Sequence, residues 1–383
     1  MRQTIGMQKI KVAIIGVKYF PSRGGVSRVV EDTLMNLKDR FEFTIYCYSH
    51  AEAEGHIPGV KVVQIPEHSF GGAGVFMYYW KCTQHVLKHG DYDLVHVHKT
   101  DAAYFVPMLA KKFEVIATSH EAPYKRDKWS SLGKAYFRKM EKTFMSSEAL
   151  LTSISKPLAD FYEEKYGREV MFIPNGVDTE VHLDFDRASQ FLEHNGVNGP
   201  FVFFAARRIM GTKGCHHMLK ALKKVNYQGN VVIAGDMTQL PAYSKQLEEM
   251  SKGMNVHFIG YVDSKEALLA LVDQSEFFFF PSETEGMSIM LLEVASVGTP
   301  VICSDIPENT AVFDEDEVLY FTNKDADDLA EKFTWAQANR EEMANKAARA
   351  KLRISKQYDR MAVAERYAEL YESTAKIASP DLV

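Results

Sequence analysis

The chain has 383 residues, 46% of them hydrophobic and 25% charged, with a formal net charge of −6 at pH 7. That length exceeds what one hydrophobic core usually serves, so two domains are expected, and the acidic balance excludes bulk electrostatic binding to nucleic acid. No run approaches the roughly 18–20 apolar residues of a membrane span, the N-terminus lacks an apolar signal core, and Cys47, Cys82, Cys215 and Cys303 form no C-x-x-C pair, so a cytoplasmic chain with free thiols is expected.

Ile10–Val17 is apolar apart from Lys11 and Gly16, the kind of run that forms a strand buried on both faces of a parallel sheet. It passes through Gly16 into a loop carrying Arg23, Gly24 and Gly25, then into a helix with Val26, Val29, Val30, Thr33, Leu34 and Leu37 at helical spacing. Further strands are expected at Phe43–Tyr48, Lys61–Ile65, Leu94–Val97, Val115–Ser119 and Leu150–Ile154, with helical stretches between several of them. A short strand from Met171 runs into an Asn175-Gly176 turn. The polar, turn-rich stretch Glu193–Pro200 places the domain junction, giving an N-terminal domain 1–192 and a second domain 193–356.

The alternation then restarts, with strands at Phe201–Ala205, Val231–Ala234, Val256–Ile259, Phe277–Phe280 and Pro300–Cys303. Helices are expected near Cys215–Lys224, Tyr243–Lys252, Lys265–Val272 and Ser288–Val297. The tail from Ala326 is helical, and Met361, Ala364, Tyr367, Ala368 and Tyr371 share one face of a last helix that packs back, as segment 357–383, on the first domain. Strand and helix in alternation imply doubly wound parallel sheets, here two Rossmann-like domains facing across a cleft, with ligands beyond the carboxyl ends of the strands.

The stretch 281–300 (PSETEGMSIMLLEVASVGTP) carries the most chemistry. Glu285 precedes a glycine turn at Gly286, and Glu293 follows eight positions later on a helix. A helix N-terminus offers free N–H groups and a positive dipole end to an anion. From Ser288 to Glu293 a helix rises about 7–8 Å, at ~1.5 Å per residue. The two carboxylates therefore suit the two ends of one elongated ligand better than one reacting atom. Arg208 and Lys213 lie on the loop after Phe201–Ala205, where a fork and a point charge suit a diphosphate.

Arg208 with Lys213-Gly214, the Glu285-x7-Glu293 spacing, Ser304–Asn309 (SDIPEN), the Asn175–Asp178 turn and the Gly24-Gly25 loop together resemble the retaining family 4 glycosyltransferases of the GT-B fold, the glycosyl transferases of group 1. The resemblance covers nearly the whole chain. It implies transfer of a hexosyl group from a nucleotide-diphosphate sugar, of the UDP-glucose or GDP-mannose type, to a hydroxyl of a glycan or lipid-linked acceptor, with retention of configuration. It assigns catalytic roles to His120, Glu285, Arg208 and Lys213. Glu285 would accept hydrogen bonds from sugar hydroxyls, and Arg208 and Lys213 would hold the diphosphate. His120, at the end of a strand, would touch the donor sugar. Gly24, Gly25, Gly286, Met287, Ser288 and Ile289 would surround the sugar and phosphates, Glu293 the ribose, and Tyr261 and Val262 the base. No cofactor or metal is expected to be required.

His96 and His98 share a strand face but find no third metal ligand. The region 111–145 holds nine Lys/Arg against four acids and is rich in aromatics, a composition that suits peripheral contact with a membrane or anionic acceptor, but the favoured reading is an ordinary amphipathic helix with its aromatics in the core and its lysines in water. An NAD-dependent oxidoreductase is disfavoured, because Gly16 is followed by Gly24 and Gly25 rather than G-x-G-x-x-G and no acidic residue closes the second strand. A sugar-nucleotide epimerase or phosphorylase and a non-catalytic sugar-nucleotide binder compete with glycosyl transfer as functions for the same residues.

Overall fold

The computed structural model describes residues 9–22, 24–49, 52–67, 71–125 and 130–378. The chain forms two compact units, residues 1–176 with 360–383, and residues 177–359.

In the first unit, β1 (Lys11–Ile15), β2 (Glu42–Tyr48), β3 (Lys61–Ile65), β4 (Leu94–His98), β5 (Glu114–Ser119), β6 (Leu150–Ser153) and β7 (Met171–Phe172) form a seven-stranded sheet in the order β3-β2-β1-β4-β5-β6-β7. Every pair is parallel. In the second unit, β8 (Phe201–Arg208), β9 (Asn230–Asp236), β10 (Val256–Gly260), β11 (Phe277–Phe280), β12 (Val301–Ser304) and β13 (Leu319–Phe321) form a six-stranded parallel sheet in the order β10-β9-β8-β11-β12-β13. Each unit thus has the doubly wound order in which the winding reverses once, at β1/β4 and at β8/β11. The apolar runs read from the sequence are these central strands. All four phenylalanines of β11 are buried, each contributing about 1.5–3 kcal/mol of burial free energy.

The junction expected at 193 lies instead at Gly176/Val177. The polar stretch that mimicked it is only the connection from the helix Phe185–His194 to β8. That helix belongs to the second unit: Asp184 N–H donates to Glu266 O at 3.2 Å and Arg187 pairs with Asp263 at 2.7 Å. At the true boundary Gly176 is required by close approach, since a Cβ there would come within 2.8 Å of Arg360 Cα.

The last helix, Arg360–Ala378, joins the core of the first unit through Val363, Ala364, Tyr367, Ala368, Leu370 and Tyr371, packed with Val12, Ile14, Phe41 and Phe43. Met361, expected on this face, is exposed, and Val363 and Leu370 take the buried positions. Arg40 ties the helix down by pairing with Glu365 at 2.5 Å and Glu372 at 2.7 Å. All four cysteines are buried and free. Among the described residues, no helix is long and apolar enough to cross a membrane.

Candidate active site

Since β8 and β11 flank the reversal point of the second unit's sheet, the loops leaving their carboxyl ends border the crevice where open α/β sheets bind ligands. Residues 209–214 connect β8 to the helix Cys215–Lys224, and residues 281–288 connect β11 to the helix Ile289–Val297.

The two loops are pinned to each other at three points. Glu283 N–H donates to Thr212 O at 2.9 Å. Gly214, with φ +70°, lies so close to Pro281 that a Cβ would sit 1.8 Å from its carbonyl oxygen. Lys213 Nζ meets Glu285 Oε1 at 2.6 Å, with the Glu285 side chain 10% exposed and that of Lys213 29%. The ammonium has three donors, of which this pair uses one.

Behind the second loop, Ser304 Oγ donates to Ser282 O at 2.6 Å, and Asn309 Nδ2 donates to Ser304 O at 2.9 Å. The Ser304–Asn309 motif is therefore a brace for the loop that carries Glu285. Gly286 lies on that loop and Met287 is buried. Ser288 caps the helix, its Oγ accepting from Leu291 N–H at 3.4 Å, and Ile289 is the first helical residue.

Glu293 is buried on the same helix, and its side chain, 4% exposed, pairs with Lys265 at 3.0 Å. Sequence reasoning missed Lys265. The available signal was Ser264, which caps the helix Lys265–Gln274 by accepting Ala267 N–H at 3.2 Å and so fixes where Lys265 stands.

Arg208, at the exposed end of β8, lines a cavity of about 540 Å³ with Arg207, Gly235, Asp236, Phe258 and Tyr261. Asp236 accepts from Thr238 Oγ1 at 2.6 Å, from Thr238 N–H at 2.8 Å and from Gln239 at 2.8 Å. These bonds, helped by the charge of Arg208, hold its carboxyl below the usual range. Tyr261 is exposed and Val262 buried beside it.

Alongside lies a network that the sequence pattern does not reveal. His217 Nε2 donates to Glu283 Oε1 at 3.1 Å, His216 Nε2 is 3.7 Å from the same oxygen, and Lys324 Nζ is 3.1 Å from Oε2. Burial pushes the Glu283 carboxyl up, but the Lys324 and His217 bonds outweigh it and leave it below its ordinary value. Burial and the neighbouring His217 lower His216 to about 4.

In the first unit, His120 follows β5 and is buried, with its Nε2 bonded to His98 Nδ1 at 2.9 Å. Burial, with Lys99 and His96 nearby, lowers His120 to about 3, so the ring is neutral at physiological pH. His96 and His98 do share a face, their rings 4.0 Å apart. His96 spends Nδ1 on Tyr371 at 2.8 Å and Nε2 on Thr118 at 2.6 Å, a structural arrangement.

Gly24 caps the helix Gly25–Leu37 in extended backbone. Among the described residues, chain neighbours apart, a Cβ at Gly24 or Gly25 would meet no atom within 4 Å, so this packing does not demand glycine at either position. Arg23 and residues 126–129 of the basic, aromatic region lie outside the described residues. Within that region, the helix Ser131–Ser146 turns Phe137 and Phe144 into the core, while Leu132 is 84% exposed and Tyr136 40%.

Residues 23–181 match the family described as Glycosyltransferase Family 4, and residues 186–353 match Glycosyl transferases group 1. A phosphatidyl-myo-inositol mannosyltransferase of Mycobacterium tuberculosis is 25% identical over 71% of each chain. Among solved structures, sucrose-phosphate synthase of Thermosynechococcus elongatus superposes with a TM-score of 0.80 at 17% identity, covering 95% of this chain and 99% of its own. Anabaena HepE in complex with UDP and glucose superposes with a TM-score of 0.78 at 18% identity, covering 95% of this chain and all of its own.

Proposed function

The chain belongs to the group 1 and family 4 glycosyltransferases and has their GT-B fold, and from that premise we propose that it moves a hexosyl group, with retention, from a UDP-glucose- or GDP-mannose-type donor to a hydroxyl of a glycan or lipid-linked acceptor. The observation that carries the donor half is the Lys213–Glu285 pair at the reversal point of the second sheet. An ammonium and a carboxylate side by side match a sugar-diphosphate, whose phosphate seeks the cation and whose hydroxyls seek the anion.

In this reading Arg208, Lys213 and the N-terminus of the helix Ile289–Val297 stabilise the leaving diphosphate, which assists deprotonation of the acceptor. The two cations and the helix N-terminus offset part of that charge, and no metal is assigned to the chemical step. Glu285 and the neutral His120 hold the sugar in attack geometry. Glu293, oriented by Lys265, takes the ribose hydroxyls, and the backbone at Tyr261 and Val262 takes the base. Gly24 and Gly25 let backbone approach the diphosphate closely.

The acceptor half rests on the names of relatives, among them a phosphatidyl-myo-inositol mannosyltransferase. It is supported by exposed Leu132 and Tyr136 beside exposed Arg138, Lys139 and Lys142, a surface suited to peripheral membrane contact from the cytoplasm. Incubation of the purified chain with UDP-glucose, GDP-mannose or dTDP-glucose, followed by assay of nucleoside diphosphate release, tests the donor. Release from none of them, with NADH bound instead, would replace this reading by the oxidoreductase one.

A further inference from the structure

We propose that His216, His217 and Glu283 form a binding site for a divalent transition metal of the zinc class, which staples the two loops of the candidate active site together.

Consecutive residues on a helix point about 100° apart. His216 and His217 nevertheless converge from the first turn of the helix Cys215–Lys224 on one carboxylate of the facing loop, with their rings 3.9 Å apart. His217 Nε2 and His216 Nε2 lie 3.1 and 3.7 Å from Glu283 Oε1, and the donor atoms of all three residues fall within 4.8 Å of one another. A tetrahedral ion with bonds of about 2.0–2.1 Å separates its ligand atoms by roughly 3.3–3.5 Å, a value the two distances bracket. The third separation, between the two histidine nitrogens, is within 4.8 Å.

Two imidazoles and one carboxylate are the donor set of zinc, cobalt or nickel, whereas calcium and magnesium prefer oxygen alone. His216 Nδ1 is hydrogen-bonded to the Tyr243 hydroxyl at 2.8 Å, the outer contact that orients a ligating imidazole. Lys324 holds the other Glu283 oxygen at 3.1 Å, and its side chain, 55% exposed, is free to move into water. Lys324 therefore competes with the ion for the carboxylate.

The consequence follows from position. The histidines sit just after Lys213 and Gly214, and Glu283 sits two residues before Glu285. An ion there fixes the spacing of the two loops whatever the donor or the chemistry.

The test uses the full chain without an affinity tag, stripped by a chelator and titrated with Co²⁺ and then Zn²⁺. The expected result is one Co²⁺ per chain with the intense visible absorption of tetrahedral coordination, displaced by Zn²⁺, and a melting temperature that rises with Zn²⁺ concentration. E283Q, which keeps the side chain's size, should weaken binding at least tenfold, and H217A likewise. K324M should tighten it several-fold. Absence of stoichiometric uptake, or uptake unchanged in E283Q with native circular dichroism, would overturn the proposal.

Discussion

Lys213 and Glu285, 72 residues apart in the chain, meet at 2.6 Å. They do so because β8 and β11 are neighbours in the sheet and each hands its following loop to the same end of it. The Glu285 carboxylate is largely withdrawn from water, and an ionised group so placed requires its counter-charge. The family resemblance gives the two residues separate tasks on one ligand. The structure makes them a unit.

Lys213→Ala and Glu285→Ala should each lower transfer by about 10²–10³-fold, the scale of losing one preorganised charge. Stability should fall by only about 1–3 kcal/mol, since the lysine is partly solvated. A double-mutant cycle on donor turnover should show the two losses far from additive. Full activity in either folded variant would remove the pair from the site.

The glycines divide into two classes by what surrounds them. Gly214→Ala adds a Cβ 1.8 Å from Pro281 O at φ +70°. It should cost about 2–4 kcal/mol and displace both loops. Among the described residues, chain neighbours apart, the Cβ of Gly24→Ala or Gly25→Ala meets no atom within 4 Å. Chemical denaturation should find them within about 0.5–1 kcal/mol of wild type, while the proposed approach of the diphosphate to this backbone predicts a drop in donor turnover. Unchanged turnover in both would place the diphosphate elsewhere.

Lys265→Met takes the ion pair from the buried Glu293. A mainly ribose-binding role predicts a donor KM raised by about tenfold, roughly 1.4 kcal/mol, with kcat little changed. A loss confined to kcat would assign Glu293 to the chemical step instead.

The strand pattern was legible because buried parallel strands are continuous apolar runs, as at Val12–Ile15 and Phe277–Phe280. The domain boundary was not. The chain leaves the first unit at Gly176, where the only local signal is an Asn-Gly turn, while the richer turn signal at 193–200 merely joins a helix to a strand. Lys265 and Glu293 are 28 positions apart, and His216 and Glu283 are 67 apart. Neither pair leaves a short-range trace, because only the sheet order brings their elements together. Gly214 stands in the sequence as part of a cation motif, and its tight contact with Pro281 shows the packing reason for it.

Burial holds His96 and His120 at about 3 and pushes His98 well below its ordinary range. In the unfolded chain such rings titrate near 6.5. Between roughly pH 6.5 and 3 the unfolded state therefore binds more protons, so stability falls as the pH drops through that window and is unaffected by these rings above it. Each ring contributes about 1.4 kcal/mol per pH unit. Urea denaturation at pH 7.5 and 5.5 should show the loss, and His120→Asn should reduce it. A flat profile would contradict the buried, neutral assignment.

Melting the purified chain with and without UDP-glucose and GDP-mannose tests the central claim most directly. At a hundred times its dissociation constant a true donor adds about 2.7 kcal/mol, so one of them should raise the melting temperature of the wild type by several degrees and leave Lys213→Ala and Glu285→Ala unmoved. A wild type that no nucleotide-sugar stabilises, or variants stabilised as much as the wild type, would contradict a donor site built on this pair.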